Sequence, residues 1–182
     1  MNWANRLTIF RILILPFFVA ALIYYSPQKD YLRYTALAIF MIAVLTDGLD
    51  GYLARVRKER TELGTVLDPV ADKALILSAF LCFSLIKGLP ENLMLPAWVL
   101  ILIISRDAVI ILGSAVIYLL QGKLHIEPSK LGKLTTFTQM ATVIWLLLAL
   151  PSAKFMWMTM VVFTVASGFG YVKRGLEVLN TK

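Results

Sequence analysis

The chain has little of what a disulfide-bonded or histidine-based site requires. Its 182 residues include one cysteine, Cys82, and one histidine, His125. A single cysteine excludes an internal disulfide framework. Cys82 lies in an apolar run, where we expect it to act as a small hydrophobic side chain. His125 stands alone in a loop, so we assign it no role.

Charged residues are also scarce, at 16% of the chain against 59% apolar residues. A soluble domain of this length would not carry so much apolar surface. No convincing small-residue cleavage site follows the first apolar run, so we expect no cleavable signal. There is no internal repeat and no low-complexity segment. We therefore predict one all-α, polytopic integral membrane domain over residues 1–182.

Polar breaks and prolines divide the apolar sequence into six predicted transmembrane helices of near-minimum length. Their approximate ranges are 9–25, 34–53, 66–86, 95–120, 134–150 and 155–171. Residues 1–10 are amphipathic, which predicts an N-terminal interfacial helix before the first span. Pro69 is expected in the first turn of the third span, where its missing N–H costs nothing.

The net charge of +7 is more typical of cytoplasmic loops and anionic lipid headgroups than of nucleic-acid binding in a membrane protein. With six spans, twelve basic residues lie on one side and four on the other, leaving Lys73 and Arg106 within the membrane. The positive-inside rule then places both termini on the cytoplasmic side.

Four carboxylates, Asp47, Asp50, Asp68 and Asp72, lie in or beside strongly apolar sequence. Helical spacing puts the first two on one face of a helix and the last two on one face of the next. A hairpin of these helices would bring both pairs together. Four unneutralised carboxylates at close range in a membrane would be intolerable. Hard oxygen ligands favour magnesium, manganese or calcium over zinc as the neutralising cation.

The spacing of this region follows the pattern D-x2-D-G-x2-A-R-x8-G-x3-D-x3-D without a departure. Its eight positions are Asp47, Asp50, Gly51, Ala54, Arg55, Gly64, Asp68 and Asp72. This pattern resembles the motif of the CDP-alcohol phosphotransferase family. Near the start of the chain, Asn5, Leu7, Thr8 and Arg11 match a family segment N-x-L-T-x-x-R. Many members have proline where this chain has Ala4, and Asn5 could also act as a helix cap.

The resemblance implies transfer of a phosphatidyl group from CDP-diacylglycerol to glycerol 3-phosphate, with release of CMP. It implies that Asp47, Asp50, Asp68 and Asp72 hold two divalent ions, Mg²⁺ or Mn²⁺, and that Asp72 is the general base. From the residues alone, which carboxylate lies remote enough to accept a proton stays open. The implied CDP-lipid site comprises Asn5, Thr8, Asp50, Gly51, Ala54 and Arg55. Arg55 could instead be a snorkelling cation at a helix end.

The acceptor phosphate needs cations of its own. Arg106 is a full charge in the fourth span and requires a partner or a hydrophilic cavity. Asp107 points some 100° away around the helix, so we do not expect it to be that partner. Similar basic residues occur in family members that use phosphorylated acceptors. The predicted acceptor site is Arg106, Ser129, Lys130, Lys133 and Arg174, although the loop cations could be ordinary topological charge.

The sequence leaves two alternatives open. The stretch SRDAVI in the fourth span resembles cardiolipin synthases of the family, which use phosphatidylglycerol as the acceptor. A cation transporter would be a different class, but the acids lie at span ends and no repeat is visible. The expected partners are CDP-diacylglycerol, glycerol 3-phosphate and membrane lipids, with a homodimer implied by the resemblance. The expected location is the inner (cytoplasmic) membrane, with the acids facing the cytoplasm.

Overall fold

A computed structural model describes residues 3–57, 62–87, 89–121 and 130–180. Six α-helices make up most of the described residues. They are α1 (Trp3–Ile23), α2 (Tyr31–Arg57), α3 (Glu62–Leu85), α4 (Ala97–Gln121), α5 (Lys130–Leu147) and α6 (Ala153–Asn180). Short 3₁₀ turns occupy Pro27–Lys29 and Glu91–Leu93. The described residues contain no β-strand, which confirms the predicted all-α class.

Two helices begin earlier than the sequence predicts. The predicted interfacial helix is not a separate element, because α1 runs without a break from Trp3 through Pro16 to Ile23. Helix α3 begins at Glu62, so the prediction that Pro69 lies in its first turn is wrong. Both prolines lie inside helices, where each removes a backbone donor. Such prolines are tolerated in membrane helices because neighbouring groups satisfy the freed carbonyls.

Three segments of the described chain are long and apolar enough to cross a membrane. They are Tyr31–Gly48, Glu91–Ile117 and Ala153–Glu177, and Leu7–Ile23 is a shorter apolar helix. Large apolar side chains such as Phe17, Ile111 and Phe169 are about two-thirds exposed or more, as lipid-facing residues would be. The count of six spans stays a prediction.

The chain divides into two compact units, and the first is built on α1, α2 and α3. It comprises residues 1–94 and 143–150, with α1 packed against both α2 and α3. Phe18 and Phe40 lie fully buried with their ring centroids 5.9 Å apart. Ala36 and Ala43 of α2 are also fully buried. Cys82 is buried, as predicted for a small hydrophobic side chain.

The second unit comprises residues 95–142 and 151–182, and α4 packs against α6 within it. Trp98 and Trp157 meet edge to face with centroids 5.8 Å apart. The Thr135 hydroxyl lies within hydrogen-bonding distance of the carbonyls of Leu131 in its own helix and Phe163 in α6. This polar contact joins α5 to α6 where apolar packing alone gives little specificity.

Arg33 joins three parts of the first unit at the α1–α2 connection. Its guanidinium donates to both carboxylate oxygens of Asp30, at 2.8 and 2.7 Å. A third bond, of 2.8 Å, reaches the carbonyl of Leu147 at the end of α5. This satisfies one of the carbonyls that a helix terminus leaves without a partner. The hydrogen bonds from Arg33 lower the pKa of the Asp30 carboxyl below its ordinary value.

We predict that Asp30→Asn lowers the melting temperature at neutral pH by a few degrees. Because the folded-state pKa of Asp30 is lowered, its contribution is fully present above the unfolded-state pKa, at about pH 4. The contribution is lost as the pH falls through the folded-state value. Thermal unfolding in detergent should therefore show wild type and variant converging at acid pH. A difference that persists at acid pH would contradict this, and Glu91→Gln is the matched control.

Candidate functional site

The predicted acidic residues lie on two helices that both face α1. Asp47 lies on α2, Asp72 lies on α3, and their side chains are 31% and 28% exposed. Arg11 of α1, with a side chain only 2% exposed, contacts both. Its Nη1 donates to Oδ1 of Asp47 at 2.7 Å and also to Oδ1 of Asp72. One guanidinium nitrogen therefore joins three helices at this point.

The convergence of Asp47 and Asp72 fits a hard divalent cation. Two carboxylate oxygens already meet at one positive group, and each carboxylate has about four lone-pair directions to offer. Carboxylates of this kind are the ligands preferred by Mg²⁺ and Mn²⁺. Within the described side chains, no three His, Cys, Asp or Glu residues cluster as a metal site. Asp50 and Asp68, the other two predicted ligands, have side chains outside that description.

The remaining motif residues are placed by their backbones. Asp50, Gly51, Ala54 and Arg55 lie in α2, and Asp68 lies in α3. The acids thus occupy two successive helices as predicted, while the side-chain geometry of these five lies outside the described part. Their proposed ligand and CDP-lipid roles stay predictions.

The N-terminal match lies on α1 beside the acidic residues. Asn5 is helical, so it lies inside α1 and not at its first residue, and its side chain lies outside the described part. Thr8 is fully buried one turn before Arg11. Thr8 and Arg11 of the N-x-L-T-x-x-R segment, three residues apart, therefore lie on the same face of α1.

A second charged cluster lies between α4 and α6. Arg106 is buried, and its Nη1 donates to Asp107 at 2.7 Å. Its Nη2 donates to Ser167 at 2.6 Å, and the guanidinium carbon lies 5.7 Å from the centroid of the Tyr171 ring. The expectation that Asp107 is not a partner of Arg106 is wrong. The two Cα–Cβ bonds diverge, but the long arginine side chain bends back to reach its neighbour.

One donor of the Arg106 guanidinium is not satisfied by the described residues. Its buried Nε makes no hydrogen bond to any group that the structure describes. A buried donor without a partner is costly, and an incoming anion would satisfy it. Gly168 lies against the side chain, since a Cβ built there would be 3.7 Å from Cγ of Arg106.

The other predicted acceptor cations lie near one end of the second unit. Lys130 and Lys133 form one face of the first turn of α5, and both are exposed. Arg174 is exposed on α6, one turn beyond Gly170, whose Cβ position lies 3.8 Å from the Leu131 side chain. Tyr171, beside Arg106, is at the same level of α6. Ser129 lies outside the described residues.

Sequence reasoning missed three functional candidates. Arg11 was identified only as part of a motif, although an arginine in an apolar helix is itself a signal. Ser167 and Tyr171 gave no signal, because a serine and a tyrosine in a span are ordinary residues. Only the packing of α4 against α6 brings them to Arg106.

Comparison with known proteins gives concordant matches. The CDP-alcohol phosphatidyltransferase family model matches residues 1–166. A probable phosphatidylglycerophosphate synthase of Mycobacterium tuberculosis strain H37Rv is 36% identical over 97% of this chain and 82% of its own length. The CDP-diacylglycerol–glycerol-3-phosphate 3-phosphatidyltransferase of Bacillus subtilis is 32% identical over 99% of this chain and 98% of its own.

The Escherichia coli K12 protein of the same name as the Bacillus subtilis relative is 34% identical over 80% of this chain and 76% of its own length. The family model covers most of the chain, and its match contains the whole spacing pattern from Asp47 to Asp72. The chain therefore belongs to the CDP-alcohol phosphatidyltransferase family.

Proposed function

We propose that this chain transfers a phosphatidyl group from CDP-diacylglycerol to glycerol 3-phosphate, forming phosphatidylglycerophosphate and releasing CMP. The observation that carries this proposal is the convergence of Asp47 and Asp72, from the two halves of the motif, on one point. The names of the Bacillus subtilis and Escherichia coli relatives specify glycerol 3-phosphate as the acceptor.

The proposed reaction is a single displacement at the phosphorus that carries diacylglycerol. A hydroxyl oxygen of glycerol 3-phosphate forms the new P–O bond, and the bond to CMP breaks with its electron pair. The hydroxyl proton passes to Asp72, the proposed general base. Divalent cations held by the four acids would stabilise both the attacking and the leaving oxygens. Asp47 and Asp72 both contact Arg11, so the resemblance and not these contacts supports Asp72 as the base.

Recognition of the two substrates is assigned to different residues. Asn5, Thr8, Asp50, Gly51, Ala54 and Arg55 are proposed to bind the CDP-lipid. Arg106, Ser129, Lys130, Lys133 and Arg174 are proposed to bind the acceptor phosphate. The spare Nε of buried Arg106 supports the second assignment, because a phosphate oxygen is the acceptor that such a donor lacks.

The proposed setting is the inner (cytoplasmic) membrane, with both termini and the acidic residues on the cytoplasmic side. The uneven distribution of basic residues supports this orientation. A soluble nucleotide product could then leave directly into water. The homodimer is supported by family resemblance alone.

We predict that removing divalent cations abolishes turnover and that Mg²⁺ or Mn²⁺ restores it. Without cations, the four acids would repel one another and the diphosphate of the substrate. The measurement is release of radiolabelled CMP from CDP-diacylglycerol in excess chelator and after readdition of metal. Full activity in chelator would contradict the metal-dependent mechanism. Asp47→Asn should weaken Mn²⁺ binding at least about tenfold, whereas Glu91→Gln, outside the motif, should not.

We predict that Asp72→Asn retains CDP-lipid binding better than Asp47→Asn while losing catalysis. A general base acts on the acceptor proton, whereas a ligand also helps to hold the diphosphate. Titration calorimetry with CDP-diacylglycerol gives the affinities, and CMP release gives the rates. Equal losses of affinity in the two variants would remove this division of roles.

We predict that Lys133→Ala raises the Michaelis constant for glycerol 3-phosphate by roughly ten- to a hundred-fold. This is the equivalent of one charge-assisted hydrogen bond, about 1.5–3 kcal/mol. The constant for CDP-diacylglycerol should change little, because the acidic residues bind that substrate. Initial rates with each substrate varied in turn provide the test. Lys154→Ala, which removes an exposed lysine in the first turn of α6, is the matched control.

The same assay distinguishes the second acceptor. The stretch Ser105–Arg106–Asp107 favours phosphatidylglycerol, which would make the chain a cardiolipin synthase. If wild type consumes phosphatidylglycerol and ignores glycerol 3-phosphate, that reaction replaces the proposed one. An equal effect of Lys133→Ala on both substrates would show that this lysine is only topological charge.

A further inference from the structure

The Arg11 side chain lies where α1, α2 and α3 meet. It is almost completely buried, and one of its nitrogens contacts carboxylates from two different helices. Without Arg11, the negative charges of Asp47 and Asp72 would face each other at an apolar helix junction. Like charges at such range disfavour each other strongly. The arginine therefore does in the described structure what a divalent cation would do there.

We propose that Arg11 is a positioning residue that keeps the acidic site assembled without metal and limits the affinity of that site for divalent cations. The inference rests on the proposed metal-dependent function, and it extends that function to a residue with no assigned role in it. The guanidinium holds α2 and α3 against α1 through the same two carboxylates that a cation needs. Arginine and cation thus satisfy the same negative charge, and each weakens the binding of the other.

The guanidinium suits this task better than an ammonium would. It is more weakly hydrated than an ammonium, so it loses less solvation when it is buried where the three helices meet. Full burial keeps Arg11 from exchanging its partners for water. The bond to one oxygen of each carboxylate leaves coordinating capacity for a metal. A cation can therefore enter while Arg11 stays close by.

Arg33 provides a matched control within the same unit. It too is a buried arginine paired with an aspartate, but it lies at the opposite end of the α1–α2 hairpin. Arg11→Gln and Arg33→Gln each remove one buried guanidinium from α1 or α2. Only the first change leaves two proposed cation ligands facing each other. A general effect of losing a buried arginine should appear in both variants.

The experiment measures thermal unfolding and Mn²⁺ binding of the full chain in detergent, without substrate. In chelator, Arg11→Gln should lower the melting temperature by roughly 5–10 °C, and saturating Mn²⁺ should restore more than half of the loss. Arg33→Gln should show the same deficit with and without Mn²⁺. Electron paramagnetic resonance titration should show Mn²⁺ binding roughly tenfold tighter in Arg11→Gln, because a competing charge has gone.

Equal deficits with and without Mn²⁺, or unchanged Mn²⁺ affinity, would overturn the inference and leave Arg11 a purely structural residue. If Arg11→Gln does not fold, Arg11→Lys decides by the same criteria. The lysine variant keeps a positive charge but loses the guanidinium, so its deficit in chelator should be smaller but still relieved by Mn²⁺. A deficit that Mn²⁺ does not relieve would overturn the inference.

A double-mutant cycle separates this inference from the proposed function. In chelator, Asp72→Asn should reduce the deficit of Arg11→Gln, because it removes one of the two facing charges. Strictly additive melting-temperature changes would refute the coupling between Arg11 and Asp72. If wild type binds no Mn²⁺ but the cycle shows coupling, the metal-dependent function fails while the positioning contact stands.

Discussion

Negative charge inside an apolar helix bundle must be neutralised, and this requirement shapes the first unit. Asp47 and Asp72 lie on helices whose other residues are mostly apolar, and both reach the buried guanidinium of Arg11. A carboxylate transferred to such surroundings without a partner is strongly destabilising. Two kinds of contact therefore hold α1 against its neighbours. Arg11 binds carboxylates of α2 and α3, and Phe18 packs against Phe40 of α2. The candidate catalytic site and this helix junction are the same place.

Buried charge is neutralised by an opposite charge in both units. Among the described side chains, the three buried arginines are Arg11, Arg33 and Arg106, and each is paired with an aspartate. The three arginines differ in the partners of their hydrogen-bond donors. Arg33 completes its hydrogen bonds with the Leu147 carbonyl, which is typical of a structural role. Arg106 keeps a buried Nε without a partner among the described groups, and Arg11 bridges two proposed cation ligands. Partner chemistry, and not burial alone, therefore separates Arg33 from the two arginines that are proposed to act in the site.

Much of the site was predictable, because helical spacing is a local property. The i, i+3 and i, i+4 separations placed the two pairs of acids on successive helices, and α2 and α3 confirm this. The predictions that failed depended on how far a helix or a side chain extends. Pro69 lies within α3 because α3 continues towards its N terminus to Glu62. Asp107 pairs with Arg106 because a long side chain can bend back against the direction of its Cα–Cβ bond. The turn of 100° per residue predicts neither where a helix begins nor how a long side chain bends.

The sequence by itself determined the all-α class, the family motif from Asp47 to Asp72 and the chemistry that four acids at this spacing can support. These features follow from composition and from the 3.6-residue period of a helix, and both can be read without knowing how the helices pack. Only the tertiary structure decided that Arg11 meets both acids, that Ser167 and Tyr171 surround Arg106, and that Arg33 reaches Leu147. Each of these contacts joins two different helices. All of them are hydrogen bonds except the contact between Arg106 and Tyr171. Such contacts depend on which helix faces pack together, and no local pattern in the chain encodes that choice.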